Sequence, residues 1–319
     1  MRLTHSIIIL CWIVGLSMAG CRKDSSPAPS RIDENYFVIT DNPNDPVDHA
    51  IYEFYKTTGI ASFMNDTIYK KQTGHIDGQQ RGSYIKLSLS YTMYAQTTAS
   101  YTKVSSKERI PALLELLKEK MLPKLPSQML IPSILLADSV TDGYPIFEPA
   151  FAYGWTVLRG FNTVGISVKD VEAMSDEEKA MYTASMLAGI AEYVLNNQYA
   201  DQVQNNFFGI SRTAAKTVVP SVPVDIYTLQ DLFPYVLPPN KAPLPQNLGF
   251  LRYPMKRYPG GNPFLIAPRE ADDCRAFLTA AFFYAPAAFA DLHVNETLVL
   301  KKFSVIRELL KQAGFQLPD

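Results

Sequence analysis

The chain of 319 residues has three cysteines, four histidines and two tryptophans, and each scarcity removes a class of protein. With 30 Lys and Arg against 31 Asp and Glu there is no basic surplus, which excludes an electrostatically driven nucleic-acid binder. No G-x-S-x-G elbow, no phosphate-binding glycine loop and no dinucleotide fingerprint occurs anywhere. The four histidines are His5, His49, His75 and His293, and no two of them lie four apart in an His-Glu-x-x-His pattern. Gly260-Gly261-Asn262-Pro263 is turn material. What the chain has in quantity is apolar residues, at 47 %, with 18 Tyr and 17 Phe, which is enough for a sizeable core.

Residues 1–20 read as a secretory signal. Arg2 supplies the positive end and Ile7–Leu16 the apolar stretch, too short for a spanning helix of about 20 apolar residues. Ser17-Met18-Ala19-Gly20-Cys21 places small residues before a cysteine and resembles a bacterial lipobox, with Met18 where Leu is commoner. On that reading Cys21 is acylated and becomes the first residue. Residues 21–33, polar and rich in Pro and Ser, form a flexible tether, and residues 34–319 the folded domain. Cys11 leaves with the signal and Cys21 carries lipid, so only Cys274 remains and no internal disulfide is expected.

Within the body, Asp45 and Pro46 suit a helix cap and first position, Val47, Ile51, Phe54 and Tyr55 give a helical period, and Gly59 a stop. Strands are expected over Ile60–Met64, Ser83–Met93, Ile131–Val140 and Thr156–Val168, with Thr73–Gly82 a loop. Helices are expected over Lys107–Leu122, from Ser175 to about Asn197, over Asp272–Leu292 with a break at Pro286, and over Thr297–Ala313. Pro220–Pro268 is Pro-rich and without period. No repeat appears, and the order of elements predicts one α+β domain, a mixed sheet with packed helices.

Several blocks are similar to one family. Asp41-Asn42-Pro43-Asn44-Asp45-Pro46-Val47-Asp48-His49, Tyr52-Glu53-Phe54-Tyr55, Thr58-Gly59-Ile60, Asn65-Asp66-Thr67 and the tail from Lys301-Lys302-Phe303 to Ala313-Gly314-Phe315 resemble Bacteroidetes lipoproteins described as substrate import-associated zinc metallohydrolases. The resemblance implies a zincin-like fold, anchoring by the N-terminal lipid in the outer membrane, with surface exposure, and work beside a TonB-dependent nutrient importer and its binding lipoprotein. In such a fold two His on one helix face hold Zn²⁺ and the Glu beside the first activates a bound water. The helix in the matching place here reads Ala188-Gly189-Ile190-Ala191-Glu192, so Ala188, Gly189 and Glu192 stand at the ligand and base positions, and Ala276 stands for a further metal-directed acid. The resemblance therefore implies a pseudoenzyme without zinc or another cofactor, with a hydrolase using unidentified residues as the alternative.

Other candidates are weaker. His49, Glu53 and Asp45 share a helix face at metal-compatible spacing, which any charged face also shows. Glu177/Glu178 and Asp272/Asp273 are paired acids at helix starts, where caps are the usual role. Cys274 is expected in the core. Aromatic clusters at Tyr144–Trp155 and Phe250–Phe264 offer rings beside donors, with Trp155, Tyr253, Arg257 and Tyr258 as candidate contacts to a sugar or peptide.

Overall fold

Local sequence signals set the helix ends. Asp45 Oδ1 accepts the backbone N–H groups of Val47 and Asp48 at 2.8 and 3.2 Å and opens α1 (Pro46–Thr58), which Gly59 closes at φ +74°. Strands β1 (Ser62–Phe63), β2 (Thr67–Ile76), β3 (Gln79–Lys86) and β4 (Ser100–Lys103) follow. A 3₁₀ turn leads into α2 (Ile110–Leu116), then a π turn at Leu117–Met121 and a further 3₁₀ turn. Next come β5 (Ile134–Thr141), β6 (Val157–Arg159), β7 (Val164–Ser167) and the long α3 (Asp176–Gln198). A helical turn and a π turn, Val203–Phe208, lead to α4 (Gly209–Val218). The short ribbon β8 (Met255–Lys256) and β9 (Phe264–Leu265) precedes α5 (Glu270–Phe283), α6 (Pro286–Leu292) and α7 (Thr297–Gln312). This computed structural model describes residues 35–76, 79–89, 99–144, 149, 153–219, 225–229, 242–258 and 260–319. The expected signal and tether, with Cys21, lie outside the described residues, as do Phe147 and Phe151 of the first aromatic cluster.

The main sheet is mixed. β5 pairs in parallel with β1 on one side and β7 on the other, β6 is antiparallel to β7, and β4 is antiparallel to the far end of β5. Alternation along the strands divides the interior. Ile134, Leu136, Val157, Val164 and Ile166 face the large helical core, while Leu135, Ala137, Val140 and Leu158 face a smaller cluster with Leu87 and Leu89. α3 lies against β6 and α5, and α7 packs on α5, so the expected α+β body of sheet and packed helices is present from Tyr36 to Asp319.

The structure departs from the sequence expectation at several elements. Of the long strand expected over Ser83–Met93, β3 covers the part to Lys86, residues 87–89 are not strand, and residues 90–93 lie outside the described residues. Leu87–Leu89 instead runs beside the 160–163 turn, with Asn162 bonding Ser88 N and Lys86 O at 2.9 and 3.0 Å. Gly165 makes room there, since a Cβ on it would lie 2.6 Å from Leu89 Cδ2. The expected loop Thr73–Gly82 is instead taken up by the antiparallel ends of β2 and β3, with a register shift between Gln72 and Gly74; residues 77–78 lie outside the described residues. Thr156–Val168 is two strands and a turn, β6 and β7, not one. Lys107–Leu122 is a chain of helical turns, although Ile110, Leu113, Leu114, Leu117 and Met121 are all buried on its inner face.

Candidate functional site

α3 begins with a reciprocal cap. Glu178 N donates to Ser175 Oγ at 3.2 Å, and Ser175 N donates to Glu178 Oε2 at 2.8 Å. The acids Glu177 and Glu178 thus sit at the positive end of the helix. From Tyr182 to Glu192 every residue of α3 is buried, because the sheet covers one side and α5 the other. Gly189 lies directly on β6. A Cβ there would stand 2.9 Å from Val157 O and 3.0 Å from Val157 Cβ. Ala188 and Ala276 are buried as well, with no polar atom to offer a ligand.

Glu192 is not free. Arg275 Nε, from α5, donates to Glu192 Oε2 at 2.6 Å, and Arg275 Nη1 donates to Val157 O at 2.8 Å. The guanidinium lies 3.7 Å from the Trp155 ring centroid. Burial raises the pKa of Glu192, with the charge and hydrogen bond of Arg275 opposing it. Beside this pair Arg269 donates to Asp272 (Nε to Oδ2, 2.8 Å) and to Asp142 (Nη1 to Oδ2, 2.6 Å), and lies over the Tyr144 ring at 4.2 Å. Burial works against the Arg269 charge, and the two carboxylates overcome it and raise its pKa.

A second network is deeper. Lys302 of α7 and Asp273 of α5 form an ion pair with no exposure to solvent worth naming. Tyr227 Oη donates to Asp273 Oδ2 at 2.6 Å and Lys302 Nζ donates to Ser211 Oγ at 3.0 Å. The rings of Phe207, Phe277 and Phe250 surround the ammonium at 4.2, 4.9 and 5.1 Å. Burial lowers the pKa of Lys302 and raises that of Asp273, each against the pull of the other. Arg212 bridges Asp225 (2.7 Å) and Glu270, two acids that line a cleft of about 500 Å³ together with Tyr227. Glu192, Asn196 and Arg269 line that same cleft. A roomier hollow, about 890 Å³, lies elsewhere, between α4 and α7, and holds no member of either network.

The sequence candidates fall in different places. Trp155 is in the site, against Arg275. Tyr253 is buried beside Phe250 and donates to Pro243 O, so it is core. Arg257 and Tyr258 are on the exposed β8–β9 ribbon, with Tyr258 stacked on Phe264 at 5.4 Å, and neither lines the cleft at Glu192. His49 bonds Asp41 at 2.8 Å, which raises its pKa above 6.5, while Asp45 caps α1 and Glu53 pairs with Lys56. Those three do not converge. Cys274 is buried, and burial pushes its thiol up. Asp272 and Asp273 are partners of Arg269 and Lys302, not a carboxylate dyad. Sequence reasoning missed Arg275, Arg269 and Lys302. A signal was available for Arg275 alone, a single cation ahead of the apolar run Ala276–Phe283; Arg269 precedes its helix and Lys302 follows Lys301.

The residues do not fit zinc at Ala188, Gly189 and Glu192. Two of the three offer no donor atom, and the third is bonded to a guanidinium. Among the described residues no group of three His, Cys, Asp or Glu is placed to hold a metal ion. The fold and site define an α+β protein with two buried ion-pair networks beneath a polar cleft. Comparison with family models, with characterised proteins and with solved structures finds no match to this chain.

Proposed function

We propose that this protein is a non-catalytic lipoprotein of the cell envelope, built on a zincin-like scaffold and accessory to nutrient capture and import. Acylated Cys21 holds it in the outer membrane, and its partners are a TonB-dependent importer and that importer's binding lipoprotein. The observation that carries this reading is Arg275. It fills the space between α3, α5 and edge strand β6, and it neutralises the one acid left at the position of a metal ligand. A helix packed beside a sheet is also what the resemblance implies, and α3 lies on β6 in that way.

Metal analysis of the purified protein is the direct test. The protein is expected to carry well under one equivalent of zinc, and a chelator to leave its melting temperature unchanged. Stoichiometric zinc with a chelator-induced drop overturns the reading in favour of a hydrolase. Anchoring is tested separately: Cys21→Ser is expected to move the protein out of the membrane fraction or leave it unprocessed. A lone acyl chain binds membranes only marginally, so the wild-type protein is expected to carry more than one.

A further inference from the structure

Arg159, the last residue of edge strand β6, differs from the arginines of the two networks. Among the described residues no carboxylate pairs with it. Its Nη2 donates to Leu130 O at 3.1 Å, while Nη1 is shut off from solvent and has no hydrogen-bond partner among them. The Tyr193 ring centre lies 5.0 Å from the guanidinium. Burial lowers the pKa of Arg159, and no acid opposes it. Burial pulls on Arg212 and Arg269 as well, but there the carboxylates outweigh it and raise the pKa. An unmade hydrogen bond on a part-buried charged group is costly, and a carboxylate is the acceptor that matches a guanidinium best.

Arg159 lines a hollow of about 560 Å³ between the 126–130 segment and the ends of α3 and α7. Ligand sites commonly span about 300–1,000 Å³. The lining holds no Asp or Glu, and Arg159 is its one ionised side chain. An adjoining hollow of about 280 Å³, which Arg159 also lines, has one acid, Glu192, and Arg275 is bonded to it. The last turns of α3 and α7 border the larger of these two hollows, and their carbonyl ends disfavour any surplus of negative charge. One carboxylate balances one guanidinium there. A phosphate dianion brings more charge than the site can match.

The rest of the lining selects what carries the carboxylate. Met129, Val194 and Leu130, the last 83 % exposed, offer apolar contact near the cation. Three exposed amides, of Gln128, Gln198 and Gln312, offer donors and acceptors around it. Gln312 spends its Nε2 on Glu308 at 3.1 Å, which leaves its carbonyl oxygen for an incoming N–H. An alkyl carboxylate leaves these amides unused, and a uronate has no apolar group for Met129 and Leu130. A peptide ending in an apolar residue uses the cation, the apolar wall and the amides together. We propose that this hollow binds the C-terminal end of a short peptide whose last side chain is apolar, with Arg159 on its carboxylate. Because Nη1 is covered, the guanidinium turns towards the hollow as the carboxylate arrives. The inference goes beyond the non-catalytic reading and does not rest on it.

The test is calorimetric titration of the purified protein with an N-acetylated Gly-Ser hexapeptide ending in Leu. The same peptide with its C-terminus amidated is the matched neutral probe, and decanoate, galacturonate and inorganic phosphate are the other anions. The free acid is expected to bind with Kd below about 1 mM, and the amide about tenfold or more weaker. Arg159→Gln is expected to weaken the free acid about tenfold or more without lowering the melting temperature, because the charge it removes has no partner, while Tyr258→Ala changes nothing. The proposal is overturned if the free acid does not bind, if the amide binds as well, if decanoate, galacturonate or phosphate binds more tightly, or if folded Arg159→Gln binds like wild type. Should Arg159→Gln fail to fold, the comparison of acid and amide on the wild-type protein decides alone.

Discussion

Arg275 does three things with one planar group, and Lys can do only one of them. It pairs with Glu192, bonds the Val157 carbonyl and sits over the Trp155 ring. Arg275→Lys keeps the charge but strands a buried carbonyl and loses the ring contact. It is expected to cost about 1–3 kcal/mol in urea unfolding. Trp155 reports the same event. The other tryptophan, Trp12, lies within residues 1–20, so in a form lacking them Trp155 is the lone indole fluorophore. Its emission is expected to change in Arg275→Lys and to stay unchanged in an exposed control such as Tyr258→Ala. An unaltered unfolding midpoint and spectrum would show that Arg275 is a passenger.

At the scale of elements, α3 sets two effects against each other at Gly189. Helix propensity makes Gly189→Ala stabilising by about 1 kcal/mol. The approach of β6 opposes it, since the added methyl meets strand backbone at 2.9 Å and a backbone cannot swing aside as a side chain can. Overpacking of this kind costs about 1–3 kcal/mol, so the variant is expected to be less stable despite its better propensity. The triple change Ala188→His, Gly189→Glu and Glu192→His should be worse still and should not gain tight zinc. A stable, zinc-binding triple variant would mean the space is open. Helix limits were legible because caps are local: Asp45, Ser175, Gly59 and Gly314 mark ends where the chain obeys them. The helical stretch from Ala200 to Val218 was not, because its π turn at Val203–Phe208 breaks the spacing between the turns on either side, although Gly209–Val218 is itself amphipathic. The site was half legible. Ala188, Gly189 and Glu192 could be read as missing ligands, yet nothing near them in sequence announces a guanidinium 83 residues further on.

For the molecule as a whole, the ion pair of Lys302 and Asp273 joins α7 to α5, and through Tyr227 and Ser211 to the segments before them. Removing one partner of such a pair leaves a bare charge in the core, and Lys302→Met is expected to cost about 3–5 kcal/mol. Adding Asp273→Leu should restore most of that, because a buried pair can be exchanged for apolar side chains at little net cost. If the double variant is no better than the single one, the loss lies in packing and not in stranded charge. The same pair sets the order in which the chain can complete itself. Its partners are 29, 75 and 91 residues apart along the sequence, and the lysine comes last. While residues up to Asp273 have emerged and Lys302 has not, the centre of the body holds an acid without its counter-charge, and full consolidation is held back. The helix that carries Lys302 is therefore the keystone of this network: α5, Tyr227 and Ser211 reach their full set of bonds only once α7 is seated.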